Sequence, residues 1–104
     1  MNDIFAPQIP RVPITGTDSL FPVHRIFCVG RNYVDHAIEM GHSGREDPFF
    51  FLKPSHCIVL AQANSQAILN WPYPSLSSDV HHEIELVVAI GQSGQNIQPE
   101  NAHE

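Results

Sequence analysis

Apolar residues along the chain fall into short blocks separated by polar, proline-rich or glycine-containing stretches. Residues 24–30 (His-Arg-Ile-Phe-Cys-Val-Gly) form a β-prone run that stops at a glycine, and residues 49–52 (Phe-Phe-Phe-Leu) predict a strand closed by Lys53-Pro54. Residues 57–60 suit a further short strand. Residues 86–90 (Leu-Val-Val-Ala-Ile) are an unbroken apolar run, the pattern of a buried strand. Between the first two runs, Tyr33, Ala37 and Met40 recur at helical spacing and Gly41 follows as a stop, which predicts one short helix over residues 32–40.

Elsewhere the pattern argues against regular structure. Pro7, Pro10, Pro13 and Pro22 make residues 1–22 an extended arm, because proline lacks the backbone donor a helix needs. Residues 71–79 are too rich in proline and serine for a helix or strand, and Gly91-Gln92-Ser93-Gly94 reads as a turn. Pro99 at a first helical position and the acidic Glu100 are helix-start signals, yet such a helix would end after about one turn. The chain is therefore expected to be the N-terminal part of a longer protein. Several short strands around one short helix give an α+β class, with no internal repeat.

Composition narrows the functions. A chain of 104 residues supports one domain at most, and 42% apolar residues is ordinary for a globular protein. The net charge of −6, with only five Lys and Arg and no cluster of them, argues against nucleic acid and anionic membranes. A small anionic substrate needs only one or two cations nearby and is compatible with this balance. Cys28 and Cys57 lie in apolar surroundings and are expected to be buried reduced thiols, with a disulfide between them left open. The first residues lack a basic and an apolar signal region and no stretch is long enough for a bilayer, so a cytoplasmic location is expected.

Three groups of residues carry candidate chemistry. Glu83 and Glu85 are two apart, so on a strand they share a face. Burying two like charges together is costly unless a hard divalent cation such as Mg²⁺ sits between them; the alternative is an exposed strand end. His36 and Glu39, three apart on the predicted helix, match a carboxylate that orients an imidazole as a general base for water; taken alone, the pair fits an incidental surface pair better. Arg31 follows Gly30 at the strand-to-helix junction, where a guanidinium can clamp a carboxylate or stand as a plain surface cation. His81-His82 argues against a zinc site, since neighbours on a strand face opposite ways and no spaced ligand pair accompanies them.

Taken in order, Cys28-Val29-Gly30-Arg31-Asn32-Tyr33-Val34-Asp35-His36, then Phe49-Phe50-Phe51-Leu52-Lys53-Pro54, then Tyr73-Pro74-Ser75-Leu76-Ser77-Ser78-Asp79-Val80-His81-His82-Glu83-Ile84-Glu85-Leu86 resemble the N-terminal half of the fumarylacetoacetate hydrolase family. Within it they resemble most the bacterial branch that cleaves fumarylpyruvate in gentisate breakdown. The resemblance runs from about Phe21 to the end of the chain. It implies that residues 23–104 are the N-terminal part of a mixed β-sheet roll whose short helix carries a catalytic dyad. It implies Glu83 and Glu85 as two of three carboxylate ligands to Mg²⁺ or Mn²⁺, His36 and Glu39 as the water-activating dyad, and Arg31 near the keto-acid end of the substrate. Lys53 is implied as a pocket residue, with a structural role as the alternative. The implied activity is metal-dependent C–C hydrolysis of a 2,4-diketo acid, fumarylpyruvate giving fumarate and pyruvate, in a homodimer at full length. Oxaloacetate decarboxylation or tautomerisation is the alternative within the family. The third ligand is an aspartate further along, and no Asp follows Asp79, so an inactive fragment is the remaining alternative.

Overall fold

A computed structural model describes residues 2–30, 32–43, 45–61, 66 and 68–104, with the side chains of Val34, His36 and Ala37 outside the description. The chain divides into two units, Met1–Leu69 and Asn70–Glu104. All the strands and the one α-helix among the described residues lie in the first.

The proline-rich start does run extended, but it folds back on itself. Strand β1 (Arg11–Pro13) pairs antiparallel with β2 (Leu20–Pro22), with Val12 opposite Phe21. Those two are the half-buried members of their strands, so the cross-strand pair is the apolar contact of the hairpin. The loop is closed by Ile14 N–H donating to Ser19 O (3.1 Å) and Thr17 N–H to Ile14 O (3.2 Å). The Thr17 hydroxyl accepts from Ser19 N–H (3.1 Å), and Gly16 takes the φ of +78° that the turn needs. Proline is tolerated here because in a two-stranded sheet each strand is an edge.

Strand β3 (Ile26–Gly30) pairs antiparallel with β4 (Phe49–Lys53). In β3, Ile26, Cys28 and Gly30 are half-buried while Phe27 and Val29 are exposed, the alternation expected of a strand with one covered face. Arg25 lies over the ring of the exposed Phe27, 5.7 Å from its centroid, where the cation meets the negative face of the π-system. Phe49 and Phe51 share a face of β4, with ring centroids 5.9 Å apart and planes tilted by 34°.

Helix α1 (Val34–Glu39) follows β3. Asp35 in its first turn complements the positive end of the helix. At its other end Gly41 N–H donates to Ile38 O (2.9 Å) and Gly41 adopts a φ of +87°, a left-handed cap that glycine takes at least cost. The predicted helix is thus present, trimmed by two residues at its start and one at its end.

The Asn70–Glu104 unit is made of turns. A turn spans residues 74–77, with Ser77 N–H donating to Pro74 O (3.3 Å). Near the end, Pro99–Asn101 is a single 3₁₀ turn entered through Gln98. The strand expected over residues 86–90 does not form: residues 81–90 belong to no strand, and Leu86, Val87, Val88 and Ile90 are 92%, 85%, 72% and 74% exposed. An apolar run becomes a strand only when a neighbour supplies ladder hydrogen bonds, and no described segment supplies them. The strand expected over residues 57–60 is also absent. Pro54 starts a 3₁₀ turn, Ser55–Cys57, and the turn uses Cys57 N–H (to Pro54 O, 3.0 Å) and Ile58 N–H (to Ser55 O, 3.3 Å). Both cysteines are free, but Cys28 is half-buried and Cys57 exposed, so the expectation of two buried thiols is corrected. Among the described residues no helix is long and apolar enough to cross a membrane.

Candidate functional site

In the first unit α1 follows β3 in the chain, and His36 and Glu39 both belong to α1. They lie three residues apart on α1, the spacing that makes neighbours one turn apart. Glu39 is exposed; the His36 side chain and all of Arg31 lie outside the described residues.

The register separates Lys53 from this end of the sheet. Gly30 pairs with Phe49, whereas Lys53 pairs with Ile26, four steps away along the strand and so about 13 Å from the Gly30 end. There Lys53 lines a shallow cavity of about 330 Å³ with His24, Arg25, Pro54 and Ser55. Lys53 and the α1 residues are therefore not brought together by the sheet.

The loop after α1 holds a carboxylate that sequence reasoning missed. Ser43 N–H donates to Glu46 Oε1 (3.0 Å), and Arg45 N–H donates to Ser43 Oγ (3.2 Å). The backbone bond from Ser43 is the main reason the Glu46 carboxyl is lowered to about 2, helped by its own backbone N–H, the Ser43 hydroxyl and the nearby His42. A serine three positions before a glutamate, the spacing of a reciprocal cap, was the available signal.

In the second unit Glu83 and Glu85 are exposed and lie outside any strand, so the expectation that they enter a core on one strand face is corrected. With both residues exposed, the burial argument for a counter-ion no longer applies. Just ahead of them the chain is tied down. Val80 N–H donates to Tyr73 Oη (3.1 Å), Asp79 N–H to Ser77 Oγ (3.2 Å), and His81 Nε2 lies 2.8 Å from Asp79 Oδ1. The proline and serine content of this stretch marked it as irregular; the tyrosine that closes it was not foreseen.

The donor set suits a hard divalent cation in kind, since both groups are carboxylates. Among the described residues no group of three His, Cys, Asp or Glu is gathered closely enough to hold a metal alone. Mg²⁺ is often held by one or two carboxylates with water and substrate filling the other positions, so two donors fit a partial site.

Residues 25–104 match the family model described as fumarylacetoacetate (FAA) hydrolase, C-terminal. The chain belongs to the fumarylacetoacetate hydrolase family. Among its relatives, the mitochondrial oxaloacetate decarboxylase of Dictyostelium discoideum is 42% identical over 78 residues, covering 75% of this chain and 34% of that protein. The mitochondrial oxaloacetate tautomerase FAHD1 of Mus musculus is 42% identical over 77 residues, covering 74% and 32%. A solved fumarylpyruvate hydrolase of Pseudomonas aeruginosa, in complex with Mn²⁺ and pyruvate, is 54% identical, with a TM-score of 0.48 over 52% of this chain and 24% of that one. The chain spans about a third of the length of the curated relatives it matches.

Proposed function

We propose that this chain carries part of the active site of a metal-dependent hydrolase that cleaves a C–C bond in 2,4-diketo acids, with fumarylpyruvate as the substrate. What supports this reading is the coexistence, inside the family match, of a histidine and a glutamate one turn apart on α1 and a Glu-x-Glu pair in the second unit. The Glu83 and Glu85 carboxylates would hold Mg²⁺ or Mn²⁺. When bound, the cation would supply Lewis acidity toward the keto-acid end of the substrate. His36, oriented by Glu39, takes a proton from water, whose oxygen attacks the distal carbonyl carbon. The C–C bond toward the keto-acid end then breaks, its electron pair leaves with the pyruvate fragment, and the proton returns from His36 to that carbon. Fumarate and pyruvate result, and every atom of substrate and water is accounted for. Arg31 clamps the keto-acid carboxylate, and Lys53, at the other end of β3–β4, serves the site only at a distance or holds the structure. The protein acts in the cytoplasm as a homodimer at full length.

A second reading is favoured by the names of the relatives just described: tautomerisation or decarboxylation of oxaloacetate. That chemistry needs no attacking water, which separates the two. The test is turnover of fumarylpyruvate and of oxaloacetate by wild type and His36→Ala in the presence of Mn²⁺. The hydrolase reading expects fumarylpyruvate cleavage that falls roughly a hundred-fold or more in His36→Ala. Turnover of oxaloacetate alone, little affected by His36→Ala, selects the second reading. Turnover of neither makes this chain an inactive part of the enzyme.

A further inference from the structure

We propose that Tyr73 is a positioning residue for the Glu83 and Glu85 carboxylates, acting through the loop 73–81. The proposal rests on the reading of those two glutamates as metal ligands. Within nine residues the loop makes four polar ties in succession. Ser77 N–H meets Pro74 O, Asp79 N–H meets Ser77 Oγ, Val80 N–H meets Tyr73 Oη across seven positions, and Asp79 Oδ1 meets His81 Nε2. The Tyr73 bond is the longest-range of these in sequence and fixes where the loop returns. Val80, whose N–H donates it, is half-buried, whereas the neighbouring residues 71–79 and 81–90 are exposed.

The loop ends one residue before His82 and two before Glu83. Two carboxylates chelate a cation well only when both are presented together, and each backbone torsion that must be ordered at binding weakens the site. A loop held before binding removes part of that loss. The Tyr73 hydroxyl supplies this order by accepting the Val80 backbone N–H. Its role is thus orientation of the segment that carries Glu83 and Glu85.

The test is Mn²⁺ titration of the chain, followed by the electron paramagnetic resonance signal of free and bound Mn²⁺, for wild type, Tyr73→Phe, Ser77→Ala and Glu83→Gln. Tyr73→Phe removes the acceptor and keeps the ring, so a Kd raised roughly two- to tenfold is expected, with a broadened bound-Mn²⁺ line shape and unchanged circular dichroism. Ser77→Ala removes the next tie and should shift the affinity in the same direction. Wild-type Kd and line shape in both variants, with binding lost in Glu83→Gln, would overturn the positioning role and leave the ligand assignment standing. Equal binding by wild type and Glu83→Gln would overturn the ligand assignment and the positioning role together.

Discussion

Replacing Gly30 by alanine tests how tightly the end of β3 that feeds α1 is packed. A methyl group built on Gly30 falls on the outer edge of the Phe49 ring, 2.7 Å from Cε2 and closer still to Cε1 and Cζ, so the ring must move. Overpacking of this kind costs about 1–3 kcal/mol, at the lower end here because Phe49 is 47% exposed and can swing outward. Swinging it outward gives up its tilted contact with Phe51. Alanine recovers about 0.5–1 kcal/mol relative to glycine in a strand, because less backbone freedom is lost on ordering. With a penalty of about 1.5–2 kcal/mol, the net is a loss of about 0.5–1.5 kcal/mol. Amide hydrogen exchange across β3 and β4 reads this directly, since local opening needs no global unfolding; exchange roughly two- to twelvefold faster is expected. In a Phe49→Ala background the clash is gone, and Gly30→Ala should become neutral or slow exchange. The same acceleration in both backgrounds would refute the steric account, because a penalty independent of Phe49 cannot come from its ring.

Gly41→Ala should fray the end of α1 at a cost of about 1 kcal/mol, from the φ of +87° alone, because the added methyl meets nothing within 4 Å. Gly41→Asn should cost less, and equal Ile38 and Glu39 backbone shifts in all three proteins would contradict this. The Glu46 carboxyl, held at about 2, should titrate there by side-chain carbon NMR, and Ser43→Ala should raise the midpoint by removing the hydroxyl bond. Because its folded value is depressed, the tie from Ser43 N–H to Glu46 stabilises the loop fully above the ordinary value of 4.5. That stabilisation declines as pH falls and is lost below about 2; a midpoint near 4.5 would exclude it.

The elements that were legible in the sequence are those whose signals are local. Strand β3 announced itself by its β-prone run and its terminal glycine, β4 by three successive phenylalanines before Lys53-Pro54, and α1 by Gly41. What was not legible depended on partners. The run at residues 86–90 states that its side chains favour burial, but not that a neighbouring strand is at hand, and in this chain none of the described segments is. Residues 1–22 were read as extended, and the pairing of Val12 with Phe21 needed the Gly16 turn to be weighed against the prolines. The candidate site divides the same way. Helical spacing was enough to place His36 and Glu39 on one short helix. The place of Lys53, at the opposite end of the sheet from Gly30, follows from a register that no spacing along one strand contains.

The exposed run that follows the carboxylate pair bears on how this protein behaves in a tube. Residues 86–90 are β-branched or aliphatic, carry no charge and contain no proline, the makeup of a segment that stacks with copies of itself. Self-association there would draw Glu85 and its neighbour Glu83 into a crowded, acidic seam, where like charges from adjacent molecules repel and invite a shared cation. Apparent metal affinity would then climb with protein concentration and with the age of the sample, while the monomer's own affinity stayed constant. Turbidity and metal uptake would rise together, and dilution would separate the metal held by one molecule from the metal held between many.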